Sequence, residues 1–540
     1  MPEISDEQPL TEPEGPGLTR ESLNSRSVGS CCAKACLVGL GSVIATVGLV
    51  LFIVWPFLVN RLIASQLALS PGSRSYNMWA ETPIPIYFHI YMFNWTNPGS
   101  SLKGPDKPAF TQMGPYVFRE HHSKKNVQWN DNNDTITYLN QKQWHFVPEM
   151  SNGTLNDQVT NLNPVAMTVG WHCMSVPTLA KLALNTLITI DEKLVKTDTV
   201  GNLLFYGSDD YLLTIAHLLR RYIKSLPDMD KFAWFYKRNM SSYGDGVFTM
   251  GSGKGDIDQL GLLSSWDYSN QTKYPGECGR VHGSYGEEFP PDYVDKDVIT
   301  VFANDLCSVI NLSRRESSKQ FGIPMVKFAG GEDVFSNKTL CYCRSNTTCP
   351  ASGARDLSMF GIPMVKFAGG EDVFSNKTLC YCRSNTTCPA SGARDLSMCN
   401  SSPAMVSWPH FYLADPSYRE AVVGMSPEQE KHEFYMNLAE VTSVTLDVRG
   451  RMQLNMLMQS IPGMNLYKGI KRTVMPMLWF EQVATLTPEL SSQISVLVTL
   501  VQWGRWLLLA MGGVGAVLIT LAVVCQSRSC FGDSDEQLLH

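Results

Sequence analysis

Two charge-free apolar stretches, one near each end of the chain, constrain this sequence more than any other feature. The first, CLVGLGSVIATVGLVLFIVWPFLVN, covers residues 36–60, and the second, WLLLAMGGVGAVLITLAVVC, covers residues 506–525. About 20 apolar residues at 1.5 Å per residue cross the hydrocarbon layer as a helix. The alternatives are a cleaved signal peptide for the first, which is long for one and follows 35 residues, and a buried core helix for the second. The sequence therefore predicts a membrane protein anchored at both ends.

The glycosylation motifs all lie between the two apolar stretches. Eleven N-x-S/T sites occur there: Asn94, Asn133, Asn152, Asn239, Asn270, Asn311, Asn337, Asn346, Asn376, Asn385 and Asn400. N-glycans mark secreted or lumenal segments. We therefore expect residues 61–505 to form one lumenal or extracellular ectodomain. The tails 1–35 and 526–540 would be cytosolic, and the polar, Pro/Gly/Ser-rich part of the first one disordered.

The cysteines are distributed in agreement with this topology. Ten of the fifteen lie between the spans, where disulfides persist. The other five are at the predicted cytosolic membrane edge: Cys31, Cys32, Cys36, Cys525 and Cys530. Juxtamembrane cysteines are candidates for S-palmitoylation. The alternative is that they are reduced, inert thiols.

Composition and motifs give no sign of catalysis or of nucleic-acid binding. The net charge is −6 and the sequence pI about 6.0, so no basic surface for nucleic acid is predicted. GSGKGD (251–256) lacks the glycine spacing and the Ser/Thr of a phosphate loop, and no H-E-x-x-H or G-x-S-x-G motif is present. Zinc thiolate sites are improbable in an oxidising compartment. The sequence predicts no enzyme, no cofactor and no metal site.

A tandem duplication interrupts the predicted ectodomain. Residues 321–359 are repeated without a single change as residues 360–398. Structural repeats normally diverge and need about three units to share a core. The two copies therefore indicate a recent duplication or an assembly error, and only one of them is expected to build the fold.

Periodicity predicts a strand-rich ectodomain with a helical part. VTSVTLDVRGRMQLNMLM (441–458) alternates apolar and polar residues on both sides of Arg-Gly-Arg and predicts a β-hairpin with one buried face. DDYLLTIAHLLRRYIKSL (209–226) has helical periodicity, with Ser208, Asp209 and Asp210 suited to its N-terminus. Its apolar stripe comprises Leu212, Ile215, Ala216, Leu219 and Ile223, and a basic face comprises His217, Arg220, Arg221 and Lys224. That face is either ordinary solvated surface or a docking surface for anionic partners.

The C-terminal tail contains a candidate sorting signal. DSDEQLLH (533–540) places Leu538 and Leu539 shortly after Asp535, and this pattern resembles acidic dileucine sorting signals read by adaptors. The alternative is a polar tail that happens to contain two leucines. A sorting signal would predict an itinerary through endosomes and lysosomes.

Several motifs, in order along the chain, resemble those of the class B scavenger receptor family. They are GPYVFRE (114–120), VFTMGSGKGDIDQLGLLSSWDYSN (247–270), CGRVHGSYGEEFPP (278–291), PHFYLADPSY (409–418), GMSPEQEKHE (424–433) and VMPMLWFEQ (474–482). The resemblance covers about residues 36–525. PHFYLAD and the histidine-bearing helix look closest to the branch of lysosomal integral membrane proteins and insect epithelial membrane proteins.

The resemblance implies an α+β membrane protein. Two terminal transmembrane helices would flank a large antiparallel β-barrel ectodomain with an apical helical bundle and an internal hydrophobic tunnel. The family's cysteine pattern implies the pairs Cys278–Cys380, Cys307–Cys399 and Cys382–Cys388. The first copy of the duplicated unit, 321–359, is then expected to loop out, with Cys343–Cys349 as a small ring. Because the copies are identical, Cys278 could instead pair with Cys341, and Cys173 would stay free.

The resemblance also implies a receptor function, with two alternatives. A lipid-handling receptor would bind lipids, lipoproteins or anionic ligands at the apex, through His217 and its basic neighbours, and pass lipid to the membrane. A sorting receptor would carry a lumenal lysosomal protein such as a hydrolase. An ecto-enzyme or adhesion protein is the third possibility, for which no residues are found. We expect the protein in the plasma membrane and in endosomes or lysosomes, and binding through His217 that changes between pH 7 and 5.

Overall fold

The computed structural model describes residues 20–174, 176–188, 193–220, 229–274, 276–336 and 389–536. The chain divides into two compact units. One unit contains the two terminal segments, Met1–Leu62 and Ile494–His540, and the other is the intervening Ile63–Gln493.

Two long apolar helices form the terminal unit. Helix α1 spans Arg20–Leu67 and helix α10 spans Pro488–Glu536. Each contains a stretch long and apolar enough to cross a membrane, Ala35–Leu67 and Pro488–Cys525. Both helices therefore extend beyond the predicted spans. Because α1 begins at Arg20, the expectation of a disordered tail is wrong for residues 20–34.

Glycines let these two helices cross at van der Waals distance. A Cβ on Gly48 would lie 2.6 Å from the backbone nitrogen of Gly512, and a Cβ on Gly41 would lie 2.9 Å from the carbonyl oxygen of Gly515. Further along α1, Trp55 packs directly on Gly504 of α10. The order of these contacts makes the pair antiparallel. Small residues at the crossing allow the close backbone approach that stabilises helix pairs in lipid.

The second unit is built on one large antiparallel sheet. Within the described residues it has 13 strands, in the order β7-β6-β3-β2-β1-β15-β14-β13-β10-β9-β8, with β12 also paired to β14 and β11 to β12. The strands are β1 (Ile86–Trp95), β2 (Phe110–Asn130), β3 (Thr135–Phe146), β6 (Val247–Gly251), β7 (Leu263–Trp266), β8 (Val298–Ala303), β9 (Ser308–Gln320), β10 (Ile323–Gly330), β11 (Ala393–Asp395), β12 (Ala404–Ser407), β13 (Tyr435–Ala439), β14 (Thr445–Met458) and β15 (Thr473–Thr485). A separate hairpin pairs β4 (Gln158–Leu162) with β5 (Val195–Thr199).

The two edges of the large sheet are linked through one residue. Ser284 forms a bridge with Val301 of β8 and another with Leu262, next to β7. The Phe302 N–H donates to the Ser284 carbonyl at 2.8 Å, and the rings of Phe302 and Trp266 lie 5.6 Å apart. The sheet is thus nearly closed into a barrel, as predicted, and its edge strands are protected from pairing with other chains.

The ectodomain unit also contains eight shorter helices within the described residues. They are α2 (Arg74–Ala80), α3 (Pro98–Ser101), α4 (Pro164–Cys173), α5 (Thr178–Ile188), α6 (Tyr211–Leu219), α7 (Ser397–Asn400), α8 (Pro416–Glu420) and α9 (Gln429–His432). A large buried cluster includes Trp408, Phe411 and Tyr467, and a second packs Phe88, Ile90 and Tyr116 from β1 and β2.

The expectation that residues 321–359 loop out is wrong for their first part. β9 turns through Phe321 and Gly322, both at positive φ, straight into β10, and Ile323 pairs with Gln320. A two-residue turn of this kind closes a hairpin with little loss of chain entropy, so the residues that directly follow β9 occupy the neighbouring strand.

The second copy supplies the other end of the same unit. β11 lies in its last residues, and α7 begins there and contains Cys399, which is bonded to Cys307. Residues 321–336 and 389–398 therefore provide the first 16 and the last ten positions of the 39-residue unit, without using any position twice. Within the described residues, the fold takes the start of the unit from the first copy and its end from the second.

The predicted hairpin over 441–458 is also wrong. Residues Thr445–Met458 form one continuous strand, β14, which pairs with both β13 and β15. Gly450 continues this strand and pairs with Gln482. Arg451, Gln453 and Asn455 are buried, so both faces of the strand are covered in this region. Alternation alone predicted only one buried face.

Candidate functional site

Helices α4, α5 and α6 form the helical part of the ectodomain unit. α4 contacts α6, and Leu212, Leu213 and Ala216 of α6 are buried. His217 and Arg220 are exposed, as predicted for a surface site. Arg221 and Lys224 lie outside the described residues.

Large apolar side chains are also exposed on α5 and α6. Leu218 of α6 is 67% exposed and Leu182 of α5 is 66% exposed. Tyr211 at the start of α6 is exposed as well. The surface of α5 and α6 therefore combines apolar and cationic groups. We call it the helical surface, comprising Leu182, Tyr211, His217, Leu218 and Arg220.

Asp210 fixes the start of α6. Its carboxylate accepts a hydrogen bond from the Leu212 N–H at 3.0 Å, which is the capping role predicted for this region. The same carboxylate accepts from Asn163 Nδ2 at 3.2 Å and from Lys196 Nζ at 3.3 Å. Asn163 is in turn the N-cap of α4, so one polar network orients both helices.

One of the three predicted disulfides is confirmed. Cys307 and Cys399 are bonded, with their Cα atoms 5.8 Å apart. Cys278 is also disulfide-bonded. Its predicted partner Cys380 and the pair Cys382–Cys388 lie outside the described residues, as do Cys341, Cys343 and Cys349. Cys173 is buried and free, as expected.

Six of the seven glycosylation sites within the described residues are exposed. These are Asn133, Asn152, Asn239, Asn270, Asn311 and Asn400. Asn94 differs because it is half-buried and accepts a hydrogen bond from the Thr160 N–H at 2.8 Å. Asn337, Asn346, Asn376 and Asn385 are outside the described residues. Glycosylation itself stays a prediction.

The predicted lipidation and sorting residues lie on the terminal helices. Cys36 has a free, exposed thiol, and Cys525 is exposed. The side chains of Cys31, Cys32, Cys530 and Asp535 are outside the described part of the chain, and so are Leu538 and Leu539. Palmitoylation and adaptor binding remain predictions.

A buried ionic cluster that the sequence did not reveal lies on one face of β2 and β3. We call it the Lys124 cluster, comprising Glu120, His122, Lys124 and Glu287. Lys124 Nζ lies 2.5 Å and 2.7 Å from the carboxylate oxygens of Glu287, and its side chain has no exposed surface. His122 Nε2 contacts Glu120, and its Nδ1 lies 3.5 Å from Glu287. The motif E-x-H-x-K was the available signal, since alternate residues of a strand share a face.

Burial and ion pairing shift the pKa values of this cluster in opposite directions. Burial disfavours the ionised form of Glu287, but Lys124 and His122 more than offset it and hold the pKa of Glu287 at about 2. Burial lowers the pKa of Lys124 despite Glu287. For His122, the carboxylate of Glu120 overcomes burial and raises the pKa. Neighbouring Glu288 behaves differently, since burial and the charge of Glu287 raise its pKa to about 8.

A second ionic cluster lies next to the first one. Asp245 pairs with Lys142 at 2.9 Å and with Arg238 at 2.5 Å, and Arg238 also reaches Asp305 at 2.8 Å. The two cations outweigh burial and keep the pKa of Asp245 well below its usual range. Buried charges of this kind are tolerated only when they are paired.

Two histidines of the PHFYLAD and EKHE motifs stack in the interior. The rings of His410 and His432 lie 4.5 Å apart. His410 Nδ1 accepts from the Ser426 N–H at 3.1 Å while its Nε2 donates to Gln112 at 2.7 Å. Burial lowers the pKa of His410 to about 4, and burial together with His410 lowers that of His432 to about 3. Both rings are therefore neutral structural groups.

Two clefts in the ectodomain are lined mainly by polar and charged residues. One of about 460 Å³ is lined by Arg315, Glu316, Lys327 and Glu433 among others, and a second of about 320 Å³ shares Glu316 and Lys327. Such linings do not suit acyl chains, so the predicted tunnel stays a prediction. In the part of the chain that the structure describes, no group of His, Cys, Asp and Glu is arranged to hold a metal.

Comparison with known proteins places this architecture in a family. The sequence model of the CD36 family matches residues 39–360 and again residues 355–526. The chain is 33% identical to Protein peste of Drosophila melanogaster over 488 residues, covering 88% of this chain and 79% of that protein. It is 28% identical to Scavenger receptor class B member 1 of Mus musculus over 93% of this chain and 92% of that protein. It is 26% identical to Lysosome membrane protein 2 of Homo sapiens over 94% of this chain and 99% of that protein. The chain belongs to the CD36 family, which is the family that its sequence motifs indicated.

Proposed function

We propose that this protein is a scavenger-receptor-like membrane glycoprotein that binds lipids or lipoproteins at its helical surface. Lipid then passes through a tunnel in the ectodomain to the membrane, in the endolysosomal pathway. The supporting observation is the exposed Leu218, which lies between His217 and Arg220 in sequence at the end of α6. Apolar and cationic groups on one surface suit a particle whose exterior presents both acyl chains and anionic head groups.

A tunnel through the ectodomain would lower the free-energy barrier to moving lipid to the membrane. Moving an acyl chain through water exposes it at about 0.8 kcal/mol per methylene, or roughly 12 kcal/mol for a chain of about 16 carbons. An apolar passage from the receptor surface to the bilayer removes most of that barrier. Anchors at both ends of the chain would keep such a passage next to the membrane.

Binding is tested with the purified full-length protein in nanodiscs and immobilised lipoprotein. We expect Leu218→Asp and Arg220→Glu each to weaken binding by about tenfold, since each removes a contact worth about 1.4 kcal/mol. Tyr268→Ser is the matched control, because Tyr268 is an exposed ring remote in sequence from the helical surface. Equal losses in all three variants, or none, would exclude the helical surface as the binding site.

Transfer is tested separately from binding. Labelled lipid delivered to the protein should reach the nanodisc faster than the same lipid delivered to an empty nanodisc. If binding occurs without accelerated transfer, the tunnel proposal fails while the receptor proposal stands.

Binding should also change between pH 7 and 5, and His217→Ala should remove that change.

A second candidate function is a sorting receptor for a lumenal protein. Its support is the relative named Lysosome membrane protein 2, together with the dileucine pattern at Leu538 and Leu539. A lumenal hydrolase should then co-purify with the native protein, and Leu538→Ala/Leu539→Ala should move the protein to the cell surface. Unchanged distribution in that variant opposes the sorting proposal.

A further inference from the structure

Arg505 has no acidic partner along its own helix. Between Pro488 and Cys525 it is the only basic residue, and the only acidic one is Glu489, about 24 Å away along the helix axis. Residues 35–67 of α1 contain no acidic residue at all. Arg505 is exposed, and its guanidinium lies over the ring of Phe52 at 4.5 Å. Within these two segments Arg505 therefore has no nearby carboxylate to pair with.

The packing of α1 against α10 fixes the level of Arg505. Gly504 contacts Trp55, and Arg505 covers Phe52, so this part of α10 lies beside residues 52–55. Arg61 lies nine residues further along α1, which is a rise of about 13 Å along the helix. The two arginines therefore mark two different positions for the edge of the hydrocarbon.

Distances along the helices favour the level of Arg505. From Lys34 to Phe52 the helix rises about 27 Å, and from Arg505 to Arg528 about 35 Å. Both values are close to the roughly 30 Å thickness of the hydrocarbon core. The interval from Lys34 to Arg61 is about 40 Å, which exceeds the core by about 10 Å.

Aromatic residues occur at the same level. Trp503 and Trp506 are each 62% exposed on α10, on either side of Arg505. Tryptophan is enriched where the hydrocarbon meets the head groups, and arginine forms bidentate hydrogen bonds with phosphate. The residues at this level are of the types that are enriched at membrane interfaces.

We propose that Arg505 binds the phosphate of a phospholipid in the leaflet on the ectodomain side, and that this contact sets the depth of the helix pair. The hydrocarbon edge then lies at Phe52 and Arg505 rather than at Arg61. Leu500 and Phe57, both exposed, fall in the head-group layer. The exposed Leu62 and Val496 lie further out and extend the apolar helix surface beyond the phosphates.

The contact is measured by ¹⁵N–³¹P rotational-echo double-resonance NMR on the full chain in phosphatidylcholine vesicles. Arginine is labelled at the guanidinium nitrogens, and the variants Arg505→Lys and Arg61→Lys are compared. Each variant keeps the charge but removes one labelled group, so folding should be preserved. We expect the phosphorus-dephased arginine signal to fall by up to half in the first variant, since Arg528 lies near the opposite hydrocarbon edge, and to be unchanged in the second.

The opposite results overturn the proposal. Dephasing that does not decrease in Arg505→Lys shows that Arg505 does not touch a phosphate. Dephasing that is lost only in Arg61→Lys places the hydrocarbon edge at Arg61, with Arg505 inside the membrane. A complementary measurement uses Leu507→Cys and Leu62→Cys with a membrane-impermeant maleimide, where only the second should react.

Discussion

Lys124 illustrates how a single residue depends on its partner in this interior. Its side chain has no exposed surface and its nearest anion is Glu287 at 2.5 Å. Removing one member of a buried pair leaves the other charge uncompensated, at a cost of about 3–5 kcal/mol, whereas removing both is often nearly neutral. We therefore expect Lys124→Met to lower the melting temperature sharply and Lys124→Met/Glu287→Gln to recover part of the loss.

The exposed pair Lys254–Asp131 is the control for this measurement. Its atoms are 3.3 Å apart, and both side chains are more than half exposed. Lys254→Met should change the free energy of unfolding by about 1 kcal/mol or less. Similar losses at Lys124 and Lys254 in thermal melts would contradict the cost assigned to burial.

The stacked histidines predict a loss of stability in acid. The folded-state pKa values of His410 and His432 are about 4 and about 3, below the roughly 6.5 of an unfolded histidine. The unfolded chain therefore binds protons first, so the stabilisation is complete above pH 6.5 and is lost as the pH falls toward 4 and 3. Between pH 7 and 5 we expect a cost of about 2 kcal/mol per histidine.

His432→Gln tests this pH dependence by melting at pH 7 and pH 5. The variant should be less stable at pH 7 but should lose less on acidification, because the amide does not titrate. His121→Gln is the control, since His121 is exposed. The interpretation fails if His432→Gln retains the full acid-dependent shift of the parent protein.

These buried groups show why the role of a residue was harder to predict from the sequence than its place on a strand. The motif E-x-H-x-K places three polar side chains on one face, but alternation cannot tell a solvated face from a buried one. Glu287 is 163 residues from Lys124, so only the fold brings the two together. In contrast, the N-cap Asp210 and the buried Leu212 were predictable because helix caps and stripes are local.

At the scale of whole elements, proximity in sequence decides which copy of the duplicated unit is used. β10 follows β9 through two residues, and β11 leads directly to the disulfide at Cys399. The hairpin predicted over 441–458 failed for a related reason. Arg-Gly-Arg resembles a turn, yet β14 has long partners on both sides, and their pairing overrides the local preference.

Copy-specific substitutions test this assignment in identical sequence surroundings. Phe328 of β10 is fully buried, so Phe328→Ala should cost about 3–5 kcal/mol. Its counterpart in the second copy is Phe367, and Phe367→Ala should have almost no effect on the melting temperature. At the other end the order reverses, because Arg394 is buried and donates to Ser308 at 2.9 Å, whereas Arg355 is its counterpart.

The result would be different if the copies exchanged places. A second copy that can replace the first one would rescue Phe328→Ala, and both single substitutions would then be mild. Only the double variant Phe328→Ala/Phe367→Ala would unfold the protein in that case. Thermal melts of the three variants therefore separate a fixed arrangement from an exchanging one.

At the scale of the whole molecule, the duplication leaves the ectodomain with a long insertion. Between Ser336 and Pro389 the chain has 52 residues, of which 39 are the surplus unit. The entropic cost of closing a loop grows as about (3/2)RT ln n, so shortening it from 52 to 13 residues should stabilise the fold by about 1 kcal/mol. Residues 321–336 and 389–398, which flank this insertion, contain each described position of the unit once.

Deletion of residues 337–375 should therefore give a folded, slightly more stable receptor. It also removes Cys341, Cys343 and Cys349, which leaves Cys278 with one family-type partner, Cys380. Non-reducing peptide mapping should then find a single partner for Cys278, whereas the parent protein offers it both Cys341 and Cys380. A deleted protein that misfolds or fails to leave the endoplasmic reticulum would show that the surplus unit belongs to the native structure.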